Sequence, residues 1–184
     1  NKKFYSYDPQ KSRELMRLAG YQYGEGLPDI MLTTNSDYLD ISEYIQHQLS
    51  ELGFNIKIDI GTGPSFRERV ANSKLDFFRA SWIADYPDEQ NYLALFYSKN
   101  HSPAGPNYTH FSSKEFDILY DKSMIETNDS IRRIYYRKMD NIVMEEAVIV
   151  PLFYDQVVRF VSKRINNLGS NPMNLLELKN ASVK

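Results

Sequence analysis

The apolar positions between Ile30 and Trp82 switch back and forth between two periods. Ile30-Met31-Leu32-Thr33-Thr34 is a short apolar run that predicts a strand, and Asn35-Ser36-Asp37 after it supplies a helix start. Tyr38, Ile41, Tyr44, Ile45, Leu49 and Leu52 then recur at helical spacing, up to a stop at Gly53. Phe54 to Ile60 alternates with period two, as a strand with one polar face does. After the loop Gly61-Thr62-Gly63, Pro64 opens a helix carrying Phe66, Val70 and Ala71. Asp76 to Trp82 is rich in aromatics and follows the polar break Asn72-Ser73-Lys74, so it predicts a third strand. The order is β-α-β-α-β with short connections, and helical crossovers of that kind make the strands parallel. One parallel sheet is expected, with helices over about 37–52 and 64–74 packed on it.

The flanks read differently. Upstream, Asp8 is an N-cap and Pro9 a first helical residue, with Leu15, Met16, Leu18 and Ala19 as the apolar stripe and Gly20 as the stop. Downstream, Tyr86-Pro87-Asp88-Glu89 breaks the third strand, and Asp88 caps a helix carrying Tyr92, Leu93, Leu95 and Phe96. Ser98 to Thr109 is a loop with Pro103, Gly105 and Pro106. Two helices follow, one started by Ser112-Ser113-Lys114-Glu115 and one by Asn128-Asp129-Ser130 that runs to about Glu146. Ala147 to Tyr154 predicts an apolar strand that Pro151 places at an edge or bend, Val157 to Val161 another, and Leu175 to Leu178 a last one after a loop at 166–174. The fold class is α/β: a β-α-β-α-β core with a mostly parallel sheet, then a helical pair and a C-terminal strand segment.

Composition narrows the partners. A length of 184 residues is enough for one domain with a core, or one domain and part of another. The net charge of −2 lacks the basic excess of a general nucleic-acid binder, so no nucleic-acid partner is expected. The absence of Cys excludes disulfides, thiolate catalysis and Cys-ligated metal. No apolar run approaches the roughly 20 residues of a membrane span. The chain starts at Asn1 without Met or a signal-like segment, and a piece of a longer or processed protein is expected.

Candidate chemistry gathers at one strand end. Ligands of open α/β sheets bind just past the carboxyl ends of strands, and there stand Trp82, the only Trp, and Asp85. The pattern fits a ligand edge; it also fits a core Trp with a turn-capping Asp. Arg79 fits a surface ion pair with Asp76 or Asp88. Asn100, His101, Asn107 and Tyr108 line a pocket rim or form a plain solvated loop. The three histidines, His47, His101 and His110, lack metal-ligand spacing, so no metal site is assigned. Gly61-Thr62-Gly63-Pro64-Ser65 lacks the Lys of a phosphate loop, and no nucleophile-base order stands out, so no catalytic residue, cofactor or enzyme activity is expected.

Four stretches resemble a known family. Tyr7 to Tyr21 is similar to its Y-x-P-x-K-A-x-x-L-L-x-x-A-G helix, and Gln48 to Ile56 to its Q-L-x-x-[IL]-G turn. Trp82-Ile83-Ala84-Asp85-Tyr86-Pro87-Asp88 is similar to its W-x-A-D-Y segment, although Glu89 stands where the family usually has Pro. Phe116-Asp117-Ile118-Leu119 and Val150-Pro151-Leu152-Phe153-Tyr154 are similar to its F-D-x-L and V-P-L-[YF]-Y markers. In this order, across nearly the whole chain, they resemble the C-terminal lobe of extracytoplasmic solute-binding proteins of the dipeptide and oligopeptide ABC-importer class.

That resemblance implies a periplasmic-binding-protein-like lobe over residues 1–156 and a segment, 157–184, that returns toward an N-terminal lobe absent here. It implies capture of a peptide or similar small solute between lobes, delivery to an ABC permease, and a periplasmic or envelope-anchored location, as in lipoproteins. It implies that Asp85 pairs with the ligand ammonium, that Trp82 lies beside the ligand backbone, and that Arg79 stands at the pocket edge. The alternative function is the ligand-sensing domain of a transcriptional regulator with the same fold, which a helix-turn-helix segment upstream would mark.

Overall fold

In a computed structural model, residues 5–171 and 175–184 are described. The described residues divide into two compact units: one comprises the chain up to Ser81 together with Phe96–Ser112, the other Trp82–Leu95 together with Ser113 onward.

The first unit holds the parallel sheet. Its strands are β1 (Ile30–Thr34), β2 (Ile56–Ile60) and β3 (Phe77–Phe78), in the order β2-β1-β3. Both pairings are parallel, with Ile30 opposite Ile56 and Leu32 opposite Phe77. The helices of this unit are α1 (Pro9–Leu18), α2 (Leu39–Ser50) and α3 (Gly63–Ala71). Asp8 caps α1 by accepting from the Lys11 N–H, with Pro9 at the first helical position, as expected. The Gln46 side chain donates to Ile56 O across 2.6 Å and ties α2 to β2. Leu32, Ile56, Val70, Phe96 and Tyr97 are buried, and Thr33, Thr34 and Ser42 are buried among them. Gly24 and Gly53 meet backbone to backbone at positive φ, and a Cβ on Gly24 would lie 2.0 Å from Gly53 O, so a side chain at either site displaces the other loop.

The third strand is shorter than the expected 76–82. β3 pairs with β1 alone, and β1 ends at Thr34 before the turn at Ser36–Tyr38. One further bond, from Arg79 N–H to Thr33 O, follows, and beyond it β1 offers no more ladder.

The second unit is built on α5 (Lys114–Ile125) and α6 (Asp129–Glu145), preceded by the short α4 (Gln90–Leu93). Ser113 caps α5 and Asn128 caps α6 through their side-chain oxygens. Phe116, Leu119, Tyr120, Tyr136, Met139 and Val143 are buried along these helices, and Phe116 stacks on Tyr120 with ring centroids 6.3 Å apart.

The expected strands at 147–154, 157–161 and 175–178 are not strands. These segments form no helix and take no ladder partner among the described residues, and Tyr154 and Phe160 are 97% and 95% exposed. An apolar extended run becomes a strand only when a neighbour satisfies its backbone and another layer covers its side chains. The strands found are instead β4 (Ile165–Asn166) and β5 (Ser182–Val183), an antiparallel pair that the sequence pattern did not suggest. The loop expected at 166–174 overlaps β4 at Asn166, and its residues 172–174 lie outside the described ones.

Candidate ligand-binding site

Trp82 and Asp85 lie in the second unit, on a turn that ends in α4. The turn is closed by the carboxamide of Asn91, which is 4% exposed. Its Oδ1 accepts from the Trp82 indole N–H across 2.7 Å and from the Asp85 backbone N–H across 3.3 Å. Both partners are donors, so one acceptor oxygen holds the ring and the start of the acidic residue together. The Trp82 ring is half-buried and Asp85 is exposed, so an exposed acid and a half-covered aromatic ring share one turn.

A second network holds the far end of this turn. Asp88 Oδ1 accepts from the Gln90 backbone N–H (2.9 Å) and from the Tyr136 hydroxyl (2.9 Å), but the N-cap of α4 is Glu89, one residue after the expected Asp88. Asp88 Oδ2 accepts from Arg132 Nη2 across 2.6 Å, and the same Nη2 donates to Tyr136 Oη, also across 2.6 Å. Burial disfavours the charge on Asp88, but bonds from Gln90, Arg132 and Tyr136 outweigh it and hold the carboxyl below its usual range. Burial, helped by the Asp88 carboxylate, pushes the Tyr136 hydroxyl up to about 12. Beside this network, the Gln90 side chain accepts from the Tyr86 hydroxyl and donates to Tyr120.

Arg79 belongs to the first unit. Its guanidinium carbon lies 3.2 Å from the centroid of the Tyr38 ring, and Nη1 is 3.4 Å from Ser81 Oγ. Its Nε is buried without a hydrogen-bond partner. The guanidinium is thus taken up by Tyr38 and Ser81, rather than by Asp76 or Asp88.

The 98–109 loop of the first unit is structured from inside. Asn107 is fully buried, and its Nδ2 donates to Tyr97 O (3.1 Å) and Phe111 O (3.0 Å). It is a loop anchor and not a rim residue. His101 stacks on His110 at 4.9 Å with parallel rings, and His110 Nε2 meets Ser73 Oγ (2.7 Å) and Ser102 Oγ (2.9 Å). His47 is exposed, with Nε2 3.9 Å from Glu51 Oε1. Among the described residues, no group of three or more His, Cys, Asp or Glu is placed to hold a metal ion.

Sequence reasoning missed Asn91, Arg132 and Tyr136. The available signal for Asn91 was a polar residue beside Tyr92 and Leu93 in an apolar helix start, where a buried amide needs a partner. Arg132 and Tyr136 stand 44 and 48 residues from Asp88, and no local pattern connects them.

The model of the bacterial extracellular solute-binding proteins, family 5 Middle, matches residues 1–104, more than half of the chain, and the chain belongs to that family. It is 26% identical over 156 residues to the dipeptide-binding protein DppE of Bacillus subtilis, covering 83% of this chain and 28% of the relative. It is 26% identical over 138 residues to the oligopeptide-binding protein OppA of the same organism, covering 73% of this chain and 25% of the relative. The solved dipeptide-binding protein of Pseudoalteromonas sp. SM9913 in complex with Met-Leu is 25% identical and superposes with a TM-score of 0.82, covering 100% of this chain and 37% of that one. The chain thus spans about a quarter of the length of the curated relatives named here.

Proposed function

We propose that this chain is part of the substrate-binding component of an ABC importer and that the complete protein captures a peptide. The observation that carries this reading is Asn91, which holds Trp82 and Asp85 side by side on one turn. An exposed acid and an aromatic ring on one turn suit an ammonium group followed by a peptide plane, through a charge-assisted hydrogen bond and ring contact. The names of the relatives, dipeptide- and oligopeptide-binding proteins, support the same ligand class. In this reading Asp85 pairs with the ligand ammonium, Trp82 covers its backbone, and Arg79 offers its unpartnered Nε–H at the pocket edge.

The complete protein would close a second lobe over the ligand and present the closed form to a membrane permease on the outer face of the cytoplasmic membrane. Residues 157–184 would pack toward that second lobe; their exposed apolar side chains, Val158 and Phe160 among them, support this. The reading makes the chain a binding module with no catalytic step.

The test is calorimetry on the full-length protein with Met-Leu, wild type against Asp85→Asn. Asp85 is exposed, so the variant is expected to melt as wild type does. Loss of a charged hydrogen bond worth roughly 1.5–3 kcal/mol weakens the dissociation constant at least about tenfold. Equal affinities would remove Asp85 from the site, and no binding of peptides by the wild type would remove the peptide reading.

A further inference from the structure

We infer that Asn91 is the positioning residue of the ligand edge: it sets the Trp82 ring plane and the Asp85 backbone relative to each other before any ligand arrives. This inference rests on the peptide-binding reading for its consequence in affinity, but the geometry stands by itself. A Trp side chain turns about two bonds, and a hydrogen bond to the indole N–H stops the ring at one setting. The Asp85 backbone N–H goes to the same oxygen, so the departure point of the carboxylate is fixed by the atom that fixes the ring. Asn91 is buried, so water does not replace its oxygen when the oxygen is removed.

Asn91 is itself held. Its backbone N–H donates to Asp88 O across 3.1 Å, and the Asp88 carboxylate is tied to Arg132 and Tyr136 of α6. The ring and the acid are thereby referred to a helix of seventeen residues through one short chain of bonds. A site whose groups are already set loses less conformational freedom on binding, and that preorganisation appears as affinity. The two groups so referred, an acid and an aromatic ring on one turn, favour a ligand whose cationic amine sits one carbon from a planar amide, and so a free peptide amino terminus over an internal lysine amine.

Trp82 is the only Trp of the chain, so its indole N–H gives a single resonance in the tryptophan-labelled 184-residue protein. Hydrogen-deuterium exchange of that N–H is expected to be at least about tenfold faster in Asn91→Leu than in wild type, because the bond is gone. Asn91→Asp keeps an acceptor oxygen in place and is expected to retain the slow exchange. In the full-length protein, Asn91→Leu is expected to weaken Met-Leu binding at least about tenfold. Combined with Trp82→Phe, it is expected to weaken binding by less than the product of the two separate factors, since both remove one bond. Slow exchange that survives Asn91→Leu, or a double variant whose factors multiply, overturns the inference. If wild type shows slow exchange but binds no Met-Leu, the peptide reading fails and the positioning role stands. If Asn91→Leu does not fold, Trp82→Phe reads the bond from its other end: it keeps an aromatic ring and removes the donor, and unchanged Met-Leu affinity overturns the inference.

Discussion

Tyr136, in the middle of α6, donates its hydroxyl to Asp88 Oδ1 across 2.9 Å and so pins the turn that carries Trp82 and Asp85 to the helical hairpin. The same carboxylate takes Arg132, and the side chains of this ion pair are only 26% and 29% exposed. At that burial the pair is worth more than a surface salt bridge, and cutting it leaves a guanidinium and a hydroxyl short of a partner. Asp88→Ala is therefore expected to lower the unfolding free energy by about 1–3 kcal/mol. Urea denaturation of the two proteins measures this, and equal midpoints would show that solvent already satisfies the pair.

The same network predicts two flanks in the pH profile. The Asp88 carboxyl is held below its usual value in the folded state, so its contribution is complete above the unfolded pKa of about 3.9. That contribution is lost as pH falls through the lower folded value. Tyr136 is raised to about 12, so its contribution is complete below the unfolded value of about 10. Between about 10 and 12 the unfolded state ionises while the folded state holds its proton, and stability declines. Denaturation midpoints of wild type and Tyr136→Phe should run parallel at neutral pH and converge above about pH 10. Parallel curves up to pH 12 would contradict the raised value.

What the sequence made legible was local. Asp8 with Pro9, Ser113 and Asn128 start their helices where cap chemistry places them, because an N-cap answers to backbone N–H groups within three residues of itself. β1 runs over Ile30–Thr34 as its apolar run suggests. The failures are cases in which a distant partner decides. β3 stops at Phe78 because β1 stops at Thr34, and the apolar runs at 147–154 and 157–161 find no ladder among the described residues. In the site, the Trp82–Asp85 spacing was visible, but Asn91 reaches them only through the path of the intervening turn.

Arg79 separates stability from binding. Its stacking on Tyr38 contributes about 0.5–1 kcal/mol, while its buried Nε–H lacks an acceptor at a cost of about 1 kcal/mol or more. Arg79→Met keeps most of the stem over the ring and removes the unmatched donor. Stability is expected to change by less than about 1 kcal/mol, whereas Met-Leu affinity of the full-length protein falls at least about tenfold if Nε meets the ligand. Calorimetry and thermal melting on one preparation decide this; unchanged affinity leaves Arg79 as a support for Tyr38.

Asn107 should behave in the opposite way. It is fully buried, donates to Tyr97 O and Phe111 O, and accepts from Thr109 Oγ1 at 3.0 Å. Asn107→Ala removes two donors from the inside of the loop, while Tyr97 O keeps the Asn100 N–H and Phe111 O keeps His101 Nε2, at an expected cost of about 1–3 kcal/mol. Peptide affinity measured well below the melting temperature should stay near that of wild type. A large loss of affinity in a variant that melts normally would return Asn107 to the pocket rim.

The apolar run from Val148 to Val161 offers the most direct test of the two-lobe proposal. Val150 is 73% exposed, Tyr154 97% and Phe160 95%, and no helix or strand protects the backbone there. In the 184-residue chain its amides should exchange at least about a hundredfold faster than those of buried α6 positions such as Met139, since exchange tracks local opening. In the full-length protein a covering lobe would slow the run while leaving α6 unchanged. Ligand binding should follow the same division. A single lobe lacks much of the buried area and preorganisation of a closed cleft, so the 184-residue chain should bind Met-Leu no tighter than about 1 mM, or roughly −4 kcal/mol. Exchange mass spectrometry and calorimetry on both proteins measure the two effects. Equal exchange of the run in both would mean that no second lobe covers it. Micromolar binding by the 184-residue chain would mean that it holds a sufficient site without one.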